Sequence, residues 1–442
     1  MNDLTVGKEG SQILKFALPM LLGNVFQQLY NIVDSIIVGN FIGKEALAAV
    51  GASFPIIFLF LSLIIGIASG STIVIAQYFG AKDIEKVKRT INTLFIFLFF
   101  ASITVSIISI FFSEEIFRLL RLPEEIIPQA TTYFNIFMGG VVVSFGFNGT
   151  SAILRGLGDS KTPLYFLIIS TFINIGLDLL FVLVFKWGIA GVAIATVLAQ
   201  GGAFFTAVVY LNRTHKIIRF ALKGLSFDKV IFKKSVKIGL PTGLQQSFVA
   251  AGMMALISIV NDFGTNVIAA YSVAARIDSL AALAGMNFAA ALATFTGQNI
   301  GAKKIERIKA GLIATLKMSS VISILISAVV LIFGHFIMDL FTNDPEVIRI
   351  GREYLTIVGA FYIVFTAMFT IAGVMRGAGD TIIPMFISLI ALWVIRIPGA
   401  WILSRHLGEI GIWWAIPLGW FVGLVLSFIY YLTGNWKKKT II

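Results

Sequence analysis

Long apolar runs recur along the whole chain, separated by short stretches rich in Gly, Pro or charge. A helix that crosses a bilayer needs roughly 20 mostly apolar residues. On that rule the pattern predicts twelve helical spans. In the first half they are 12–40, 46–78, 90–112, 129–154, 162–185 and 188–211. In the second half they are 235–261, 267–299, 311–335, 350–375, 382–404 and 410–433. The loops between them are too short for a soluble domain. The first twenty residues hold no small-residue cleavage site, so the first run is expected to be a retained helix rather than a signal peptide.

Span 1 departs from the apolar pattern. Asn24, Gln27, Gln28, Asn31, Asp34 and Ser35 recur three and four residues apart, which puts them on one helical face. A polar stripe on a membrane helix must face the bundle interior or water. Pro19 on the same helix removes a backbone hydrogen bond and permits a hinge.

Composition agrees with the spans. Of 442 residues, 58% are hydrophobic and 13% charged, and mean hydropathy is +0.95. Those values exclude a disordered chain and an ordinary soluble enzyme. There is no cysteine, and the three histidines (His215, His335, His406) are far apart, so thiol chemistry and histidine-rich metal sites are excluded. The net charge of +12 is concentrated in alternate loops, above all between Arg213 and Lys237. That asymmetry places both termini in the cytoplasm and the chain in the cell membrane as a multi-pass protein. No basic face interleaved with aromatics is present, so nucleic acid is not an expected partner.

Charges at membrane depth are costly and mark function by default. Three acids fall inside spans: Asp34, Asp178 and Asp278. Asn174 and Asp178 share one face of span 5, and Thr196 lies in span 6. At about 1.5 Å of rise per residue, Asp34, Asp178 and Thr196 all fall roughly 10 Å below the outer surface. Two carboxylates, an amide oxygen and a hydroxyl make a hard oxygen site for a small cation, Na+ or H+, with nothing soft to favour a transition metal. For Asp278 a structural ion pair with Arg276 is expected.

The two halves repeat. Gln77-Tyr-Phe-Gly-Ala-Lys82 recurs as Gln298-Asn-Ile-Gly-Ala-Lys303, and Arg155-Gly-Leu-Gly-Asp159 as Arg376-Gly-Ala-Gly-Asp380. Both matches have the same offset of 221 residues, and Pro19 pairs with Pro241 one residue further. Six spans plus six in the same orientation predict an N-lobe over 1–212, a cytoplasmic linker over 213–236 and a C-lobe over 237–442. Two like bundles around a central cleft suit alternating access. The offset sets Asn174 opposite Ile395, Ile175 opposite Arg396 and Asp178 opposite Gly399. The C-lobe thus lacks the cation set, and cation coupling is expected in the N-lobe alone. Arg396 either stabilises the C-lobe or meets its cavity, or else is simply tied to a backbone carbonyl, and the residues leave that open.

These paired loops, the duplication and the Pro19…Asp34 spacing resemble the multidrug and toxic compound extrusion (MATE) family over nearly the whole chain. The resemblance implies a cation-coupled antiporter that exports amphipathic, often cationic organic compounds. Asp34, Asn174, Asp178 and Thr196 match the N-lobe cation site of the family's DinF-like branch. The expected partners are therefore small organic substrates, the bilayer and a coupling ion, Na+ or H+, with no other cofactor and a monomeric chain. Gln28, Asn31, Asn148, Gln245, Gln246, Met253 and Met254 are candidates for the substrate cavity, with helix packing as their alternative role. Gly66-x-x-x-Gly70 and Gly419-x-x-x-Gly423 read as packing motifs. A flippase for a lipid-linked precursor would want a cluster of Arg in the cavity. An intramembrane aspartyl enzyme would leave the repeat unexplained, so no enzymatic activity is expected.

Overall fold

A computed structural model describes residues 2–214 and 225–441, except the side chain of Leu63, so the expected linker over 213–236 lies partly outside the described residues. Among the described residues the secondary structure is wholly helical. The first half holds α1 (Glu9–Ile37), α2 (Lys44–Gly80), α3 (Ile84–Phe111) and the short α4 (Ser113–Leu119). It continues with α5 (Ile127–Gly139), α6 (Val141–Gly156), α7 (Lys161–Leu179) and α8 (Gly188–Thr214). The second half holds α9 (Lys229–Asn261), α10 (Thr265–Gly301), α11 (Ile305–Asp339) and α12 (Pro345–Gly359). It ends with α13 (Tyr362–Ala378), α14 (Ile382–Leu389), α15 (Ile397–Leu407) and α16 (Glu409–Thr433).

Nine helical stretches among the described residues are long and apolar enough to cross a membrane. Two more spans are bent pairs, α5 with α6 at 51° and α12 with α13 at 45°, broken at matching places in the repeat. The twelfth is α1, which is long enough but carries the polar stripe. The twelve expected spans are therefore present.

The paired loops have structural reasons. Lys82 and Lys303 both take positive φ, 60° and 58°, as their chains leave α2 and α10. In the other loop Gly158 and Gly379 take φ of 78° and 95°, a region that favours Gly. Asp159 N–H then donates to Leu154 O at 2.8 Å, and Asp380 N–H to Met375 O at 3.0 Å. These are helix C-caps of the Schellman type. The same two turns in both halves carry the repeat from sequence into backbone.

The chain forms two compact units. One spans Pro19–Gly243, and the other joins Asp3–Leu18 to Leu244–Ile442. The division falls inside α1 and α9, beside Pro19 and Pro241, and differs from lobe boundaries drawn at the linker. In the first unit Gly66 and Gly70 let α2 meet α9 backbone to backbone. A Cβ at Gly70 would stand 2.3 Å from Ser235 O, and one at Gly66 would stand 2.6 Å from Gly239 O. In the second unit the start of the chain is held by the paired loop. Leu4 N–H donates to Gln298 Oε1 at 2.9 Å, Lys304 to Thr5 O at 2.9 Å and Arg307 to Gly7 O at 2.8 Å. Arg307 also pairs with Glu9 at 2.8 Å. These anchors place residues 3–18 in the second unit and leave Asp34, beyond Pro19, in the first.

Candidate cation site

All four residues expected to bind a cation are buried in the first unit. Asp34 is 7% exposed, Asn174 2%, Asp178 0% and Thr196 3%. α1, α7 and α8 supply them, and the structure brings them together. Asp34 and Asp178 are electrostatic neighbours, and Asn174 stands one helical turn before Asp178 and beside it. Thr196 Oγ1 lies 3.1 Å from Tyr30 Oη and also donates to Val192 O at 3.1 Å. Tyr30 is one turn before Asp34 on α1, so it links α8 to the acid.

The polar atoms of this cluster are underused. Asp34 Oδ1, both Asp178 carboxylate oxygens and both polar atoms of Asn174 are buried with no hydrogen-bond partner among the described residues. An orphaned buried polar atom costs about 1–3 kcal/mol, and a charged one more. Four of these atoms are oxygens, and they fit a small cation or proton that the carboxylates and the amide oxygen would hold. No group of three or more His, Asp or Glu residues placed to hold a metal ion occurs among the described residues. The donor set is two carboxylates with neutral oxygens, which suits a hard cation.

A cavity of about 70 Å³ lies against this cluster. Gln27 and Tyr30 of α1, Asn148 of α6, Ser170 and Asn174 of α7, and Thr196 and Gln200 of α8 line it. It gives the buried set a polar approach with room for water.

Sequence reasoning missed Tyr30 and Tyr133. Tyr133, on α5, lies within electrostatic range of Asp34, Tyr30 and Asp178. Tyr30 was legible from its four-residue spacing to Asp34, but nothing in the sequence signals which helix α5 faces. Tyr30→Phe should remove one interhelical hydrogen bond, a loss of about 0.6 kcal/mol, which a thermal unfolding comparison with wild type measures.

The other candidates are spread more widely. Asn148 lines the small cavity and donates to Ser144 O at 2.9 Å. Asn31 donates to Gln28 Oε1 at 3.3 Å on the face of α1. Gln246, Met253 and Met254 are exposed. Gln245 is buried and occupied: it accepts from Arg376 at 3.0 Å and donates to Ser388 at 2.5 Å. The expected Arg276–Asp278 pair is corrected. Tyr354 and Tyr362 donate to the two carboxylate oxygens of Asp278. Residues two apart on a helix point to different sides, so Arg276 cannot serve Asp278 as readily.

A duplicated membrane protein, helical throughout its described residues and with a buried polar cluster in its first half, has the architecture of a membrane transporter. A family model described as MatE matches residues 19–180 and again 241–402, once in each half. The chain is 35% identical over 436 residues to a probable multidrug resistance protein, YpnP, of Bacillus subtilis strain 168, covering 98% of this chain and 97% of that one. It also superposes on crystal structures of MATE in a bent and in a straight conformation, each with a TM-score of 0.92 and 25% identity. The bent one covers 98% of both chains, the straight one 99%. The chain belongs to the MatE family of multidrug efflux transporters.

Proposed function

We propose that this transporter is an antiporter driven by Na+ or H+, with the coupling cation held by Asp34, Asn174, Asp178 and Thr196 in the first unit. The orphaned oxygens of that cluster carry the proposal, since burial without a partner is tolerable where a mobile cation is the partner. The cation offsets one of the negative charges that two buried acids on α1 and α7 would otherwise share and thereby changes how α1 packs against α7 and α8. Coupling then requires the two arrangements of α1 to bind the cation unequally. Pro19, where α1 passes from one compact unit to the other, is the proposed hinge. Relatives described in bent and straight conformations support a family that takes two forms. The substrates are amphipathic, often cationic organic compounds. The termini face the cytoplasm, on the side of the basic loops, and a single chain carries both units.

A thermal unfolding series tests the cation site. A ligand that binds only the folded state at 100 times its Kd stabilises by about 2.7 kcal/mol. Replacing choline by Na+ at constant ionic strength, or acidifying, should raise the unfolding midpoint of wild type and leave Asp178→Asn nearly unmoved. A wild type indifferent to both ions contradicts the reading.

A further inference from the structure

The repeat is uneven along α1 and α9. Pro19 pairs with Pro241 at an offset of 222 residues, whereas Gly43 and Gly264, which both take positive φ as the chain leaves these helices, pair at 221. The first half absorbs its extra residue in the π turn Val38–Ile42 that continues α1. Before that turn the offset of 222 holds, so Gln245 stands where the first half has Gly23.

Past Pro241, α9 is tied to its neighbours along one face. Gln245 is 5% exposed, and both ends of its amide are used. The oxygen accepts from Arg376 of α13 at 3.0 Å, and the nitrogen donates to Ser388 of α14 at 2.5 Å. A guanidinium only donates, so the amide has one orientation. Three residues on, Phe248 O accepts from Trp393 Nε1 at 3.1 Å. Four residues further, a Cβ at Gly252 would collide with Leu392. Positions 245, 248 and 252 share one helical face, and Leu392 and Trp393 belong to the π turn Ile390–Arg396 between α14 and α15. All of these residues lie in the second unit.

The first half keeps the neighbours and lacks the ties. A Cβ at Gly23 would lie 3.6 Å from Leu167, and Leu167 is the repeat mate of Ser388 at 221. Gly23 has no side chain, Leu167 has no polar atom, and Phe172, the mate of Trp393, has no N–H to donate. Arg155, the mate of Arg376, donates to Ser151 O on its own helix at 3.3 Å.

We propose that Gln245 is a positioning residue that clasps α9 to α13 and α14 through Arg376 and Ser388, so that α9 keeps one conformation past Pro241 while its repeat mate α1 changes at Pro19. The inference rests on the proposed rearrangement of α1. Bending α9 at Pro241 would leave buried polar groups, one of them a guanidinium, without their partners, which is costly. Bending α1 at Pro19 breaks no equivalent bonds at the matching positions. Both helices carry the proline, and the clasp decides which of them moves.

Amide hydrogen exchange of purified full-length protein in detergent tests the clasp, since it reads local opening segment by segment. It is followed in segments 244–261 and 20–37, in Na+ against choline at equal ionic strength, and at two pH values after correction for intrinsic rates. In wild type, 244–261 is expected to be at least tenfold better protected than 20–37 and indifferent to the ion. Gln245→Leu keeps the bulk, removes both bonds and should lower protection of 244–261 at least tenfold. Gln245→Glu keeps an acceptor for Arg376 and for the Ser388 hydroxyl and should restore it, which separates the clasp from the filling of space. If Gln245→Leu does not fold, Trp393→Phe, which gives α9 the residue found in the first half, should lower the same protection. Equal protection of the two segments in wild type overturns the proposal. So does a 244–261 segment that follows the ion as 20–37 does, one unchanged by these substitutions, or a Gln245→Glu no better than Gln245→Leu. The reading of the first unit fails separately, when 20–37 responds to neither ion, and protection of 244–261 still judges the clasp.

Discussion

Asp34→Asn should reduce export to the level of cells lacking the transporter, at least tenfold below wild type. The substitution keeps the size and shape of the side chain and removes only its charge. Asp34 is 7% exposed, and its carboxylate faces Asp178 with one oxygen unpartnered. Asn carries no charge for a cation to offset, so on the proposed mechanism both arrangements of α1 would hold the cation with equal weakness. A ligand with equal affinity for two states shifts neither, and coupling disappears. Ethidium accumulation in cells expressing equal amounts of wild type and variant reads the effect. Asp178→Asn should behave alike, because the two acids act as one site. Wild-type efflux in either variant would show that the cluster is structural.

Gly70→Val should prevent folding. A Cβ at Gly70 would meet Ser235 O at 2.3 Å, Gly239 N at 2.6 Å and Gly239 Cα at 2.8 Å, all backbone atoms that cannot rotate away. Overpacking a well-packed site costs about 1–3 kcal/mol, and more where backbone must move. α2 and α9 would have to separate over Gly66 as well, since its Cβ would meet Gly239 O and Gly243 N at 2.6 Å. The expected result is loss of the monodisperse peak in size-exclusion of detergent-solubilised protein. Gly51→Ala serves as control, with nothing within 4 Å of its Cβ. An intact peak for Gly70→Val would mean that this crossing does not hold α2 in place.

The spans were legible because lipid permits only one answer to a long apolar run: a helix that satisfies its own backbone. The residues expected at the cation site were legible for a related reason. An acid inside a span has few structural uses, and residue counting set Asp34, Asp178 and Thr196 at one depth. Counting depth cannot say which helices are neighbours, so Tyr133 on α5 went unseen. Division of the compact units at Pro19 and Pro241 was hidden as well. It depends on a hydrogen bond from Leu4 N–H to Gln298 and on hydrogen bonds from Lys304 and Arg307 to the start of the chain, contacts separated by about 300 residues of sequence. Asp278 shows the opposite lesson. Its pairing with Arg276 was suggested by nearness in sequence, whereas helix geometry already disfavours residues two apart. Gln245 was a candidate for the substrate cavity or for helix packing, and its burial against Arg376 and Ser388 appears only in three dimensions.

The central claim is that a cation gradient acting through Asp34 and Asp178 drives organic compounds across the membrane. The most direct test is ethidium movement in proteoliposomes under an imposed Na+ gradient and, separately, an imposed pH gradient. Wild type should move dye under at least one gradient, reverse when that gradient is reversed, and lose the effect in Asp34→Asn and Asp178→Asn. Dye movement that ignores both gradients, or that survives unchanged in both variants, would contradict the account.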